Sequence, residues 1–222
     1  MAQKILIIED ELEIQNILYE LLNDAGYDVY HAADGMEGVN TFYSEKPDLV
    51  LLDILMPKLD GFSVCEMIRK QSNVPIIILT ALDTEDSQIK GFELLADDYI
   101  TKPFSLKLVL KRVEAILRRS IERQEAEVLK YRDIIMNTES RQVFVATKEV
   151  ILTHLEFDIL QLFLKNKGRV FTRDDVINYV WGYDFVGDEK GVNFHIMNIR
   201  RKLVVPCIET VRGVGYRVDK DR

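Results

Sequence analysis

Two cysteines and three histidines are all that 222 residues contain, and each scarcity closes off a class of protein. Cys65 and Cys207 lie far apart in the chain without any CxxC or Cys/His spacing. Neither a disulfide scaffold nor a zinc site is indicated, and both read as free thiols of a reducing cytoplasm. No apolar run reaches the roughly 18 residues of a membrane span, so no membrane partner is expected. Met1-Ala2-Gln3-Lys4 leads straight into an apolar run and lacks the order of a signal peptide, and no repeat or low-complexity tract is visible. What is there, 47% hydrophobic and 30% charged residues, is the composition of a soluble globular protein with a real core, long enough for two domains.

Charge is unevenly spread. The net −8 divides into −9 for residues 1–119 and +1 for residues 120–222. Residues 190–220 alone carry seven basic side chains against two acidic ones. An acidic front half disfavours nucleic acid, whereas the basic cluster near the end permits it.

The first half alternates short apolar runs, at 5–8, 28–32, 49–53, 75–79 and 98–100, with helical patterns at about 13–25, 35–45, 63–70, 84–95 and 105–119. Five such units predict an α/β fold, a doubly wound five-stranded parallel sheet covered by helices on both faces. A charged stretch from Arg118 to Lys130 then reads as the end of a helix fraying into a linker. The expected division is a domain at 1–119, a linker at 120–126 and a second domain at 127–222. The second half has another rhythm. Short β-like segments at 133–136, 143–146 and 150–152 precede three helical patterns, the first opened by the capping box Thr153-His154-Leu155-Glu156 and the second capped by Thr172. The chain closes in a hairpin pattern around Arg212-Gly213-Val214-Gly215. Three helices and a terminal hairpin predict a winged helix-turn-helix module.

The ends of the predicted parallel strands carry the chemistry. Asp53 ends the run 49–53, Glu9 and Asp10 follow the first strand, Thr80 the fourth, and Lys102 the fifth. Open α/β sheets hold ligands in this crevice. Three neighbouring carboxylates raise one another's pKa unless a cation neutralises them. Mg²⁺ suits them, because it takes one or two carboxylates together with phosphate oxygens. The constellation therefore fits loading of a phosphoryl group onto a carboxylate nucleophile, with Lys102 pairing the phosphoryl oxygens and Thr80 donating a hydroxyl. Lys102-Pro103 is a candidate cis peptide. An acidic cluster after one strand is commonly no more than a solvated loop and helix start, but the joint placement on four strand ends is much harder to obtain by chance.

Residues 1–119 resemble the receiver domain of two-component response regulators. The resemblance rests on Ile8-Glu9-Asp10-Glu11, Leu52-Asp53-Ile54-Leu55-Met56-Pro57, Asp60-Gly61, Leu79-Thr80-Ala81 and the run from Ala96 to Phe104. Residues 127–222 resemble the winged-helix effector of the OmpR/PhoB subfamily through Leu152-Thr153-His154-Leu155-Glu156-Phe157, Gly168-Arg169-Val170-Phe171-Thr172-Arg173, Val180-Trp181-Gly182 and Thr210-Val211-Arg212-Gly213-Val214-Gly215-Tyr216. The resemblance implies a phosphorylation-activated transcriptional regulator, not an enzyme beyond its own phosphoryl chemistry. Asp53 accepts phosphate from a sensor histidine kinase. Glu9, Asp10, Asp53 and the backbone carbonyl of Leu55 bind Mg²⁺, and Thr80 and Tyr99 form the switch. Dimerisation then uses a face of the helices at 84–95 and 105–119, with Asp97 and Arg112 preserving one intermolecular ion pair. Gln88, Leu108 and Leu95 depart from the family pattern on that face. The partners implied are promoter DNA in direct repeats and, through the loop at 183–189, RNA polymerase. An alternative is an atypical regulator that binds DNA independently of phosphorylation. A small-molecule aspartyl-phosphate enzyme is disfavoured by Leu55, which stands where such enzymes usually carry a second acid.

Within the helix expected at 191–204, Val192, Ile196, Ile199 and Leu203 mark the buried stripe. His195, Asn198, Arg201 and Lys202 are expected on the exposed arc, with Asn193, Met197 and Arg200 on the other flank. A recognition helix would present such residues to the major groove: Asn198 to adenine, Arg200 or Arg201 to guanine or phosphate, His195 to phosphate. Arg212 at the hairpin tip suits the minor groove or a phosphate.

Overall fold

The computed structural model describes residues 2–81, 96–121, 127–182 and 190–220. The chain divides into two compact units, Met1–Leu117 and Arg118–Arg222.

In the first unit, β1 (Lys4–Ile8), β2 (Asp28–Ala32), β3 (Leu49–Asp53), β4 (Ile76–Thr80) and β5 (Asp98–Thr101) form one sheet in the order β2-β1-β3-β4-β5. Every pairing is parallel. The near-continuous apolar runs are explained by burial on both faces. Alternate residues divide between two cores. Leu6, Ile8, Val50, Leu52, Ile76 and Ile78 pack with Val39 and Phe42 of α2 (Gly35–Glu45) and Val64 and Ile68 of α3 (Gly61–Arg69). Ile5, Ile7, Leu49, Leu51, Ile77 and Leu79 pack with Leu18 and Leu22 of α1 (Leu12–Asp24) and Val109, Val113 and Ile116 of α4 (Leu106–Ile121). Each such side chain contributes about 1.5–3 kcal/mol by leaving water. The strands begin within a residue or so of the expected positions. The helix expected at 84–95, with Gln88 and Leu95, lies outside the described residues. Leu108 is half-buried against the core.

Two local features fix the rim of the sheet. Asp34 caps α2 by accepting from the N–H groups of Met36 and Glu37, and the Lys58 ammonium beside it holds its carboxyl below the usual range. Asp60 caps α3 by accepting from Ser63 N. Gly61 must be glycine, because a Cβ there would lie 2.1 Å from the Asp53 carbonyl oxygen.

The second unit opens with an antiparallel meander, β6 (Val128–Tyr131), β7 (Ile134–Asn137), β8 (Gln142–Val145) and β9 (Lys148–Glu149). The structure departs from expectation at both ends. Residues 128–131 are a strand hidden within the charged stretch, with alternating exposed and buried positions. Residues 150–152 are no strand, and the pairing ends at β9. Helices α5 (His154–Lys165), α6 (Arg173–Val180) and α7 (Lys190–Leu203) follow, then the hairpin β10 (Ile208–Val211) and β11 (Gly215–Val218). Thr153 with Glu156, and Thr172 with Asp175, form reciprocal capping boxes. Phe171 and Tyr216 exchange two backbone hydrogen bonds of 2.9 Å, which add a bridge to the hairpin. A Cβ at position 215 would meet the Phe171 carbonyl at 2.0 Å. Together these elements are a winged-helix domain.

Candidate phosphoacceptor site and nucleic-acid interface

The parallel sheet delivers Glu9 and Asp10 just beyond β1, Asp53 at the last position of β3, Thr80 at the end of β4 and Lys102 just beyond β5. Glu9, Asp53 and Thr80 are buried; Asp10 is half-buried. Carboxylate oxygens of Glu9, Asp10 and Asp53 lie within 4.8 Å of one another. Lys102 Nζ reaches the same point, 2.6 Å from Asp53 Oδ2, 2.9 Å from the Glu9 carboxylate and 3.3 Å from Glu11 Oε1. The Lys102-Pro103 bond is cis. Asp53 Oδ1 accepts from Leu55 N at 3.0 Å, so its two oxygens are oriented from opposite sides.

The electrostatics are those of a site short of positive charge. Burial pushes the Glu9 carboxyl up to about 7, and the neighbouring Asp53 charge adds to the shift. The Lys102 ammonium opposes it without cancelling it. Burial alone would lower Lys102, but its hydrogen bonds with Asp53 and Glu9 outweigh that and hold it above its usual value. Glu9 Oε2 is buried and has the Lys102 ammonium, 2.9 Å away, as its ion-pair partner. A hard divalent cation fits such a donor set: three carboxylates within 4.8 Å of one another, sharing one ammonium, and nearby backbone, all oxygen. The Glu9 backbone is itself pinned. Its N–H donates to Ala32 O at 3.1 Å and its carbonyl accepts from Gln15 Nε2 at 2.9 Å.

Thr80 thus joins the acidic cluster at the sheet edge, and Tyr99 lies one strand over, half-buried on β5 with its N–H on Asp98 Oδ1 at 2.8 Å. The residues expected at the dimer face are placed differently. Asp97 and Arg112 are buried. Asp97 Oδ2 accepts from Arg69 Nη2 at 2.8 Å and from Ile76 N at 2.9 Å, and Arg112 is bonded to Asp98. The arginine that engages Asp97 comes from the end of α3, far away in sequence, and the acid that engages Arg112 is the next residue along.

On α7 the phase differs from expectation. Val192, Ile196, Ile199 and Leu203 are buried, as the periodicity requires, but so are His195 and Asn198, each 1% exposed. The buried arc widens toward that flank, where the Trp181 ring lies 6.0 Å from the His195 ring. Lys202 Nζ is held by the buried Glu156, the same carboxylate that completes the α5 capping box. Arg200 donates to Ile208 O at 3.0 Å and to Thr210 Oγ1 at 2.9 Å, tying helix to wing. The exposed ridge is Asn193, Met197 and Arg201, one turn apart, while Arg212 is exposed at the hairpin tip beside Gly213 with φ +73°. Of the six residues expected at DNA, Arg201 and Arg212 stand exposed, Arg200 and Lys202 serve the domain's own structure, and His195 and Asn198 are inside. His195 and Asn198 stand three and six residues beyond Val192, on the flank next to the expected stripe, and burial there extends the stripe by one row.

Comparison with known proteins agrees with this fold. Residues 5–114 match the response regulator receiver domain family, and residues 147–218 match the family described as transcriptional regulatory protein, C terminal. The chain is 40% identical over 220 residues to the regulatory protein VanRB of Enterococcus faecalis, covering 99% of each. It is 40% identical over 226 residues to the uncharacterized transcriptional regulatory protein YclJ of Bacillus subtilis, covering 98% of this chain and all of that one. Among solved structures, a RitR mutant superposes with a TM-score of 0.79 at 26% identity, covering 99% of this chain and all of that one. The Thermotoga maritima response regulator DrrB, described as an OmpR/PhoB homologue, gives a TM-score of 0.55 at 30% identity over the same shares.

Proposed function

From the premise that the chain belongs to the two-component response regulators of OmpR/PhoB type, with a receiver and a DNA-binding domain, we propose that Asp53 is its phosphoacceptor and that phosphorylation governs its binding to promoter DNA. The observation that carries this reading is the convergence of Asp53, Glu9, Asp10 and Lys102 at one sheet edge, with Lys102 Nζ 2.6 Å from Asp53. A sensor histidine kinase supplies the phosphoryl group. An Asp53 carboxylate oxygen attacks phosphorus, the new O–P bond forms, and the bond to the donor breaks with its electron pair leaving on the donor. Glu9, Asp10, Asp53 and the Leu55 carbonyl would hold Mg²⁺, which supplies charge neutralisation between two anions. Lys102 exchanges its bond to Asp53 for one to a phosphoryl oxygen. Thr80 offers its hydroxyl to another, and Tyr99 follows it inward, altering the neighbouring helical face.

The DNA-binding domain then contacts promoter DNA in direct repeats, with Arg201 and Arg212 the side chains best exposed for it. The proposed regulator acts in the cytoplasm; no helix among the described residues is long and apolar enough to cross a membrane. The polymerase contact expected at 183–189 lies outside the described residues. The test is the Asp53→Asn protein with Mg²⁺ and a small phosphodonor: no phosphoryl uptake is expected, and labelling at full yield refutes the assignment.

A second reading is supported by one specific observation. Asp97, Asp98 and Arg112 are already engaged within their own protomer. A receiver whose interface charges are self-paired suits DNA binding independent of phosphorylation. Equal operator affinity with and without phosphodonor would establish it.

A further inference from the structure

We propose that Asn193 reads a base in the major groove through its amide donors alone, selecting a base edge that offers acceptors, guanine foremost. This inference rests on the DNA-binding reading of α7 and gives a specific contact to a residue that the sequence placed on the flank of that helix without one.

Asn193 lies in the first turn and a half of α7, where a recognition helix meets base edges, and it heads the exposed ridge that continues through Met197 and Arg201. Its carbonyl oxygen is fully occupied. Arg173 Nε donates to Oδ1 at 2.9 Å, and Tyr216 O–H donates to the same atom at 2.6 Å. An amide oxygen has two lone pairs, and here both are used. The arginine N–H can only donate, so it dictates which end of the amide faces it. The orientation is therefore imposed by chemistry.

The support is rigid. Tyr216 is buried, forms the two-way backbone bridge with Phe171, and carries Arg173 and Arg200 over its ring at 5.5 and 5.8 Å. Arg200 in turn ties α7 to β10. What Asn193 has left to present is the Nδ2 group with its two protons. Bidentate recognition of adenine needs an amide oxygen for the N6 amino group as well as a donor for N7, and that oxygen is taken. Guanine offers O6 and N7, both acceptors, and thymine offers O4. An acceptor-only edge is what remains compatible.

The experiment selects from a pool of random-sequence duplexes with the full-length protein, with and without beryllofluoride and Mg²⁺, comparing wild type with Asn193→Ala and Asn193→Asp. Wild type is expected to enrich a motif with one position per half-site fixed as G, or less strongly T. Asn193→Ala should make that position degenerate, cost about 5–150-fold on the preferred duplex, and leave the salt slope unchanged, because no phosphate contact is lost. Asn193→Asp is the stringent arm. The carboxylate keeps an oxygen for Arg173 and Tyr216 and turns a second acceptor outward, so the same position should switch to a base with an exocyclic amino group, cytosine or adenine. A purely structural Asn193 would produce no switch. A motif from wild type that persists unaltered in both variants overturns the assignment of Asn193 alone. A wild type that enriches no motif overturns sequence-specific DNA binding, and this inference with it.

Discussion

Glu9 and Lys202 show how a single side chain's surroundings decide its role. Glu9 is a carboxyl held near 7 by burial and by the neighbouring Asp53, yet a cation needs it ionised. Below about pH 7 protons therefore compete with Mg²⁺ at Glu9. Calorimetric titration should show Mg²⁺ affinity falling as pH drops from 8 to 6, approaching tenfold per unit once Glu9 is mostly protonated. The sign for stability follows from the same shift. Between about 4.5 and 7 the metal-free folded state binds this proton more tightly than the unfolded chain does, so Glu9's contribution makes unfolding easier as pH rises. Glu9→Gln should flatten that slope in denaturant titrations, and an unchanged slope would mean that Glu9 ionises normally. Lys202 is the converse case, a basic residue expected at DNA and found holding the buried Glu156. Lys202→Met should cost about 3 kcal/mol of stability, because it strands a buried carboxylate. Arg201→Ala should change stability by no more than about 0.5 kcal/mol while weakening DNA binding. Chemical denaturation of the two variants separates the roles.

The helices and strands carry a second kind of information, and some of it was plain in the amino-acid order. Runs such as Leu49 to Asp53 read correctly because a strand buried on both faces has no polar alternation to confuse, and the reactive residues lie at the ends of those runs. Thr153 and Glu156 announce a helix start through a reciprocal bond that needs only local sequence. The expectation failed where the answer depends on a distant partner. Val128 to Tyr131 alternate as a strand, but charged neighbours masked the pattern until β7 supplied its pairing edge. Asp97 and Asp98 are adjacent acids, and nothing local says that Arg69 takes the first and Arg112 the second. The α7 stripe gave its centre but not its width, because that depends on what packs against the flank of His195. The helix also ends one residue early. Val204 adopts φ +60° and is 84% exposed, with its N–H on Arg200 O. A β-branched residue in the left-handed region stores about 1–2 kcal/mol, whereas glycine there is the ordinary helix stop. Glycine's greater freedom in the unfolded chain takes back about 0.4–1 kcal/mol. Val204→Gly should therefore stabilise by about 0.5–1 kcal/mol and raise the melting temperature by a few degrees, and a lowered melting temperature would show that the conformation carries no strain.

At the scale of the whole molecule, two units of opposite electrical character share one chain, a receiver at −9 and a DNA-binding domain that concentrates its positive charge in its last third. The first repels a polyanion while the second attracts it. A phosphoryl group adds negative charge to the first and Mg²⁺ roughly offsets it, so the two together would not strengthen binding through net charge. In the proposed reading the gain comes from pairing protomers. Once two DNA-binding domains are joined, the second half-site is met at an effective concentration near millimolar, and avidity can rise by about 10²–10⁴ without a new contact. Beryllofluoride with Mg²⁺ should convert the protein from monomer to dimer in light scattering. It should also tighten binding to a duplex with two selected half-sites by at least about tenfold while leaving a single half-site almost unaffected. Asp53→Asn should remove both effects. Gly61→Ala should weaken them too, since its Cβ would collide with the Asp53 carbonyl and displace Asp53. The self-paired Asp97, Asp98 and Arg112 set the opposing cost, because any of these charges recruited to an interface must first leave a buried partner. If that cost dominates, the activated protein stays monomeric and both duplexes bind equally with and without beryllofluoride. The second reading would then replace the first.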